Sequence, residues 1–414
     1  MLSRGCLAEM QSNSKKPTLW VLTSTFPRWA GDVVPAFVAE LSKRLAAGFR
    51  VVVLAPHAPG AALRETLDDM EVHRYRYAPV RLERLAYEGG ILASLRRRPW
   101  TLLLVPLLVI GLWRALRRLR HLAPPDVVHA HWMFPQGWVA AVALPGKVAL
   151  VTTSHGSDLY RLRGWAWNAM RRVVVSRSCR VTVVSEAMRQ RLQRDELPTT
   201  QVEVLPMGLD LIDRFTPAAV RREEGEILFV GRLIPIKGCR QLIEAFALLK
   251  ARGLAHRLRV VGDGPERTAL HAHARQLGVQ DSVEFAGAVR NEELSAWYRR
   301  ASLLVAPYVE QGGDAAEGLG MVPLEAIGCH CPVVATPGAQ VNTLIRDGET
   351  AWLAPSTAPA DLAATIAMAL AEPAERLRRS AVARSESLSR FDWRVIAQRY
   401  AELLMACVEH NKDL

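Results

Sequence analysis

Short apolar runs followed by amphipathic stretches recur along the chain, the pattern of parallel α/β layers. The runs Thr18–Leu22, Arg50–Ala55, Asp126–Ala130, Val148–Thr153 and Val181–Val184 are rich in β-branched residues. Each closes on a polar or glycine-bearing turn, as strands covered on both faces do. A second series comprises Glu226–Val230, Leu258–Val261, Ser282–Phe285, Leu303–Ala306 and Pro332–Ala335. Helical spacing lies between them, at Pro35–Ala47, Arg240–Arg252 and Pro265–Leu277. Between the two series stand Pro206, Gly208, Pro217 and the charged run Arg221–Glu226, so breakers and charge predict an interdomain linker. The expected division is a disordered tail over 1–16, a first Rossmann-like domain over 17–204, a linker over 205–225, a second Rossmann-like domain over 226–384, and a segment over 385–414. In that segment Trp393, Ile396, Tyr400, Leu403 and Leu404 share one face of a helix over Phe391–Val408. The pattern alone does not say which domain this helix joins.

Composition narrows the classes. With 414 residues, half of them hydrophobic, the chain can bury two cores of ordinary size. The first sixteen residues lack the apolar run of a signal peptide and read as a frayed tail. The formal charge of +12 favours anionic partners, and phosphate on nucleic acid, lipid or nucleotide would each suit it. No helix-turn-helix, RNA-recognition or zinc signature appears, so the charge does not point to nucleic acid. The six cysteines are scattered except for Cys329-His330-Cys331, which lacks a second ligand pair at zinc spacing. They read as small buried thiols in a reducing compartment.

Three segments carry candidate chemistry. In Glu317-Gly318-Leu319-Gly320-Met321-Val322-Pro323-Leu324-Glu325, Pro323 fits only the first turn of a helix, which predicts a helix start near Met321. Glu317 then lies in the preceding loop and Glu325 within the helix. Gly318 and Gly320 permit close backbone approach, and first-turn amides point at an anion. Two carboxylates beside a phosphate would be repelled by it, so they suit sugar and ribose hydroxyls. Two exposed helix-end glutamates are the plainer alternative. In Gly231–Gly238, at the end of a strand, Arg232 offers a planar fork and Lys237 a point charge for a diphosphate, where solvated cations are the alternative. His155-Gly156-Ser157-Asp158 follows another strand; a lone histidine is more often structural than catalytic, but Gly156 here allows close approach. The first strand ends in a loop bearing Gly31 and Asp32, suited to an acceptor.

With these residues in view, the chain resembles the retaining glycosyltransferases of family 4, which have two Rossmann-like domains facing across a cleft (the GT-B fold). The likeness rests on an ordered set: 24–32, AspValValHisAlaHisTrp at 126–132, HisGlySerAsp at 155–158, ProMetGlyLeuAsp at 206–210, GlyArgLeu…LysGly at 231–238, ValGlyAspGlyPro at 261–265 and Glu317…Glu325. The family includes bacterial exopolysaccharide and lipopolysaccharide sugar transferases and phosphatidylinositol mannosyltransferases. The resemblance implies that Arg232 and Lys237 hold the donor diphosphate with amides of Gly318, Leu319, Gly320 and Met321. It implies that Glu317 binds the transferred sugar, Glu325 the ribose, and that His155 stands beside the reacting carbon. Gly31 and Asp32 would line the acceptor side, and the C-terminal helix would return to the first domain. The implied partners are a nucleotide-diphosphate sugar and a lipid-linked glycan or lipid acceptor, with no nucleic acid. No cofactor and no metal are expected, since the chain lacks an Asp-x-Asp pair.

Departures from the family pattern fall after Glu325. His330 holds a position usually Gly, Ala339-Gln340-Val341-Asn342-Thr343 replaces a Gly-Gly-x-Pro-Glu turn, and Ala351 replaces a Gly. These changes leave two rival readings open, a non-catalytic sugar- or glycan-binding relative and a sugar-nucleotide epimerase of the same fold. Finally, from Gly89 to Pro125 there is no acidic residue. Arg96-Arg97-Arg98 and Arg114, Arg117, Arg118 and Arg120 bracket Pro99–Trp113, which reads as apolar on every face and too short to span a bilayer. An anionic membrane surface meeting 96–120 on the inner, cytoplasmic side is the expectation, with a helix buried in the domain as its rival.

Overall fold

The computed structural model describes residues 16–29, 31–32, 37–87, 90–218, 225–309, 320–338 and 344–412. The expected tail over 1–15 lies outside the described residues, as do Glu317, Gly318, Leu319 and the segment 339–343.

The chain forms two sheets. The first has eight strands: β1 (Thr18–Leu22), β2 (Arg50–Pro56), β3 (Arg64–Leu67), β4 (Met70–Tyr75), β5 (Val127–His131), β6 (Ala149–Ser154), β7 (Arg180–Val183) and β8 (Val202–Val204). Their order is β3-β4-β2-β1-β5-β6-β7-β8, parallel except for the β3–β4 hairpin. The second has β9 (Glu226–Val230), β10 (Arg257–Val261), β11 (Val283–Gly287), β12 (Leu303–Ala306), β13 (Val333–Ala335) and β14 (Trp352–Leu353). Its order is β11-β10-β9-β12-β13-β14, parallel throughout.

Alternation along β1 shows how one apolar run serves two layers. Leu19 and Val21 point into a core shared with the helix Phe37–Leu45 and the long helix Trp393–Lys412. Trp20 and Leu22 point the other way, against the helix Leu104–Leu122. Trp20 Nε1 donates to the Ala123 carbonyl across 2.9 Å, which satisfies the one polar atom of a fully buried indole.

That second helix differs from the sequence expectation. It continues the turn Pro99–Leu103, so a 24-residue helical stretch runs to Leu122, long and apolar enough to cross a membrane by length and composition. It is not apolar on every side in the same sense: Leu104, Leu108, Leu112, Leu116 and Leu119 form a buried stripe against the sheet. The opposite face, with Leu102, Leu103, Leu107, Ile110 and Trp113, is exposed. Neither wholly buried nor wholly free, the helix lies along the domain.

The chain passes from the first core to the second at Met207–Leu209, and back at Phe391–Trp393. Leu205 and Met207 belong to the first core; Leu209, Leu211 and Phe215 belong to the second. Phe391 packs in the second core, whereas Trp393, Ile396, Tyr400 and Leu404 pack in the first. The two crossings lie side by side: Leu209 N donates to the Phe391 carbonyl at 2.8 Å, and Trp393 N donates to the Leu209 carbonyl at 3.1 Å. A Cβ at Gly208 would overlap the Trp393 ring, so glycine is required where the crossings touch. Asp392 caps the returning helix by accepting from Arg394 N at 2.9 Å.

Candidate active site

Both sheets present their carboxyl-end loops to the site, where open α/β sheets hold ligands. On the first domain, His129 and His131 alternate along β5 and so share a face, while His155 follows β6 directly. His131 Nδ1 lies 2.9 Å from His155 Nε2, with the rings 13° from parallel and their centroids 5.2 Å apart. His129 Nε2 meets Thr153 Oγ1 at 2.7 Å. Phe37 and Trp132 stand on either hand of His155, each 4.9 Å from its centroid. Burial pushes His129 down to about 3, and burial with the nearby His129 does the same to His155. Burial, then His129 and His155, holds His131 well below the usual range. All three rings are neutral at pH 7 and can donate or accept without bringing charge. Asp158 stays in the frame of this loop: its carboxylate accepts from Met133 N at 2.7 Å and from Ser154 Oγ at 2.8 Å. Burial nonetheless raises its pKa.

On the second domain, the loops after β9 and β10 are in contact. Gly231 N donates to the Val261 carbonyl and Leu233 N to the Asp263 carbonyl, both at 3.0 Å. A Cβ on Gly262, at φ 140°, would overlap the Gly231 carbonyl. Lys237 ends a 3-10 turn, Pro235–Lys237, and is only 9% exposed. Its ammonium sits 4.1 Å above the Tyr308 ring. Of the two readings open for Lys237, burial removes the solvated cation: its stem is packed while its head is held on an aromatic face. Arg232 is exposed.

Glu325 lies inside the helix Met321–Gly328, which is preceded by Gly320 as its cap residue. The Glu325 carboxylate is buried and accepts from Tyr298 OH at 2.7 Å. Burial raises its pKa, against the opposing pull of the Tyr298 hydrogen bond and of Arg214 and Lys237. Glu325 and Lys237 are therefore electrostatic neighbours at one edge of the second sheet. Arg161, which follows the short helix Ser157–Tyr160 after His155, has its pKa lowered by burial and then by the guanidiniums of Arg96 and Arg232. Arg161 of the first domain thus feels the charge of Arg232 in the second as well as that of Arg96 in its own.

The acceptor-side pair is arranged differently. Gly31 takes φ 78°, which explains a glycine, and nothing lies within 4 Å of the Cβ it lacks. Asp32 is turned inward, its side chain 1% exposed, with Oδ2 accepting from Arg28 N and Nε and Oδ1 accepting from the guanidinium at 2.7 Å. It shapes the loop and does not offer its carboxylate to a ligand. Sequence reasoning placed His129 and His131 in the 126–132 motif without giving either a role, and did not single out Tyr298, Tyr308 or Arg161. The His-Ala-His alternation at the end of a predicted strand was the one signal available. Among the described residues, no group of three or more His, Cys, Asp or Glu is placed to hold a metal ion. Cys329 and Cys331 are buried, and burial pushes the Cys329 thiol up to about 12.

Comparison with known proteins places this geometry. Residues 34–212 match the model of Glycosyltransferase Family 4, and residues 214–386 match that of Glycosyl transferases group 1. A GDP-mannose-dependent alpha-(1-6)-phosphatidylinositol monomannoside mannosyltransferase of Mycolicibacterium smegmatis is 29% identical over 409 residues, covering 93% of this chain and 97% of that protein. A glycogen synthase of Mycobacterium tuberculosis is 30% identical over 293 residues, covering 68% of this chain and 69% of that protein. Among solved structures, sucrose-phosphate synthase from Thermosynechococcus elongatus superposes with a TM-score of 0.74 at 21% identity, covering 94% of this chain and 98% of that one.

Proposed function

Since the chain belongs to glycosyltransferase family 4, with the GT-B fold, we propose that it moves a sugar from a nucleoside-diphosphate sugar to a lipid or lipid-linked glycan acceptor. The setting is the synthesis of a cell-surface polysaccharide or glycolipid, at the cytoplasmic face of the membrane. The observation that carries this reading is the electrostatic pairing of buried Lys237 with buried Glu325 at the carboxyl ends of the second sheet's strands, with Arg232 near enough to Arg161 of the first domain to lower its pKa. The mannosyltransferase relative, which uses a nucleotide sugar and a phosphatidylinositol acceptor by its name, supports both halves.

The chemistry follows from the residues. Arg232 and Lys237 hold the donor diphosphate with the first-turn amides from Gly320 and Met321, and stabilise the charge that develops as the sugar bond breaks. These cations take the place of a metal. Lys237 is held on Tyr308, so little reorganisation is needed when the charge appears. Glu325 accepts from the ribose hydroxyls, and Glu317, with the Gly318 and Leu319 amides, engages the transferred sugar and its phosphate. His155, neutral and boxed by Phe37 and Trp132, hydrogen-bonds the sugar near the reacting carbon without adding charge. No side chain stands out as a nucleophile, which suits retention of configuration by front-face attack, with the departing phosphate taking the acceptor proton.

The test is thermal stabilisation by UDP-, GDP-, ADP- and CDP-sugars, followed by transfer to a lipid acceptor without added metal. One donor at a hundred times its Kd should stabilise by about 2.7 kcal/mol. A chain stabilised by none of them, and hydrolysing none, does not use a nucleotide sugar.

A further inference from the structure

Outside the cleft, a cavity of about 220 Å3 opens at the foot of the Leu104–Leu122 helix. Arg81, Arg84, Ser94, Arg97, Arg98 and Trp100 line it. Arg81 lies in the turn Val80–Leu82 and Arg84 just after it, Arg97 ends the helix Ile91–Arg97, and Arg98 leads into the turn Pro99–Leu103. Among the described residues, Arg81, Arg84 and Arg97 form no ion pair. The carboxylate of Glu83, between two of them in sequence, is buried against His57 and Arg76 instead. Arg81, Arg84 and Arg97, gathered at one cavity without ion partners, match a phosphate, which several guanidinium forks can hold at once.

The surface beside the cavity is apolar. Leu102, Leu103, Leu107, Ile110 and Trp113 are exposed, Leu103 by 76%, and follow one another at helical spacing on the face opposite the buried leucines. The same face then turns basic with exposed Arg114, Arg117 and Arg118, and the Arg117 guanidinium lies 4.6 Å above the Trp113 ring. The stripe from Leu103 to Trp113 is about 15 Å long and has arginines and a tryptophan at each end.

We infer that this face docks on an anionic phospholipid bilayer, with a lipid phosphate in the arginine cavity and the Leu103–Trp113 stripe in the acyl boundary. Charge chooses the occupant. A second copy of this chain would set arginines against arginines, whereas anionic headgroups meet both basic ends while the apolar middle leaves water. Docking also has a direction. Arg96, on the same short helix as Arg97, is an electrostatic neighbour of Arg161 in the candidate site, so the cleft opens close to the bound lipid surface. The inference deepens the lipid-acceptor half of the proposed function and is independent of the donor half.

The experiment is sedimentation of the full chain with phosphatidylcholine vesicles, with and without phosphatidylglycerol. Binding should require the anionic lipid and be released by salt. Arg81→Gln/Arg84→Gln/Arg97→Gln should weaken it about a hundred-fold, roughly five-fold for each arginine. Leu103→Ser/Leu107→Ser should leave a weaker binding that salt abolishes. Melting temperature and stabilisation by the nucleotide-sugar donor, read on every variant, show that the fold and the cleft persist. Equal binding to neutral vesicles, a chain that stays in the supernatant, or a triple variant that binds like the parent would each overturn the inference. So would inorganic phosphate that binds the cavity in a chain that ignores vesicles, or an oligomer that the two serines dissolve. Any of these results with donor stabilisation intact removes the docking face alone, and loss of donor stabilisation in the parent chain removes the donor reading instead.

Discussion

Nδ1 of His131 and Nε2 of His155 face each other at 2.9 Å, so one proton is shared between two rings that are both held neutral. Each neutral ring already carries one proton, and adding a third to the pair would place a charge in a buried site that also holds His129.

This arrangement predicts how stability depends on pH. His129 has a folded pKa of about 3, below its unfolded value near 6.5, so the unfolded chain takes up a proton that the folded chain refuses. Stability should therefore fall as pH drops from about 6.5 toward 3, by about 1 kcal/mol per pH unit for each such ring. The raised carboxyls of Asp158 and Glu325 act in the opposite sense, so the cleanest measure is a difference. Denaturant unfolding at pH 7, 6 and 5 should show a shallower loss for His129→Asn than for the parent, and parallel curves would refute the buried-neutral assignment.

Removing either donor cation should separate chemistry from folding. Arg232→Ala and Lys237→Ala should each lower kcat/KM by a factor of about 30 to 1000, or ~2–4 kcal/mol of transition-state stabilisation. Arg232 is exposed, so its variant should melt with the parent. Lys237 is packed on Tyr308, so its variant should also lose some stability. Turnover close to the parent in either variant removes the diphosphate role.

The two glutamates should divide in binding assays. Glu325→Gln should weaken free nucleoside diphosphate, because the ribose contact is lost and the Tyr298 hydroxyl meets a poorer acceptor. Glu317→Gln should lower turnover with the donor and leave free nucleoside diphosphate binding almost unchanged. Calorimetry with the nucleotide decides it, and equal weakening in both variants would mean that sugar and ribose are assigned wrongly.

His330 stands where relatives usually have glycine, and its φ is 59°. A histidine there carries the steric cost of the left-handed region, about 1–2 kcal/mol, which exceeds the entropy a glycine adds to the unfolded chain. His330→Gly should raise stability by up to about 1 kcal/mol, read as a higher denaturant midpoint with an unchanged slope. A lower midpoint would show that the imidazole contributes more than the strain it causes. Ala351, the other described departure, is buried at negative φ and predicts no such gain.

The ten apolar runs legible in the sequence coincide closely with strands of the two sheets, because strands covered on both faces need unbroken apolar residues. Of the strands that went unread, β3, β8 and β14 lie at sheet edges and β4 is the inner partner of the β3 hairpin. β3 is Arg-Glu-Thr-Leu, with no apolar run, and its hairpin turns through Asp68 and Asp69 at positive φ without the glycine that usually signals such a turn. β14 has two residues. In the candidate site, Lys237 and Glu325 stand in motifs that a reader can see. The residues that hold them, Tyr308 and Tyr298, do not, because a tyrosine in an apolar context reads as core. The same limit hid the leucine stripe of the Leu104–Leu122 helix: an apolar run shows that residues avoid water, not which face finds the sheet.

The crossing at Gly208 and Trp393 governs the order in which the chain can fold during synthesis. The first sheet emerges early, yet its core is completed by Trp393, Ile396, Tyr400 and Leu404, which the ribosome adds roughly two hundred residues later, on the order of 10–40 s at ordinary elongation rates. Throughout that interval the face of Leu19 and Val21 has the helix Phe37–Leu45 but not the returning one, and the second sheet waits as well, since Ala383 and Phe391 complete its core just before Trp393. Both halves are thus poised to close almost together, on the last thirty or so residues, and a chain cut short of about residue 383 would leave apolar surface open on each.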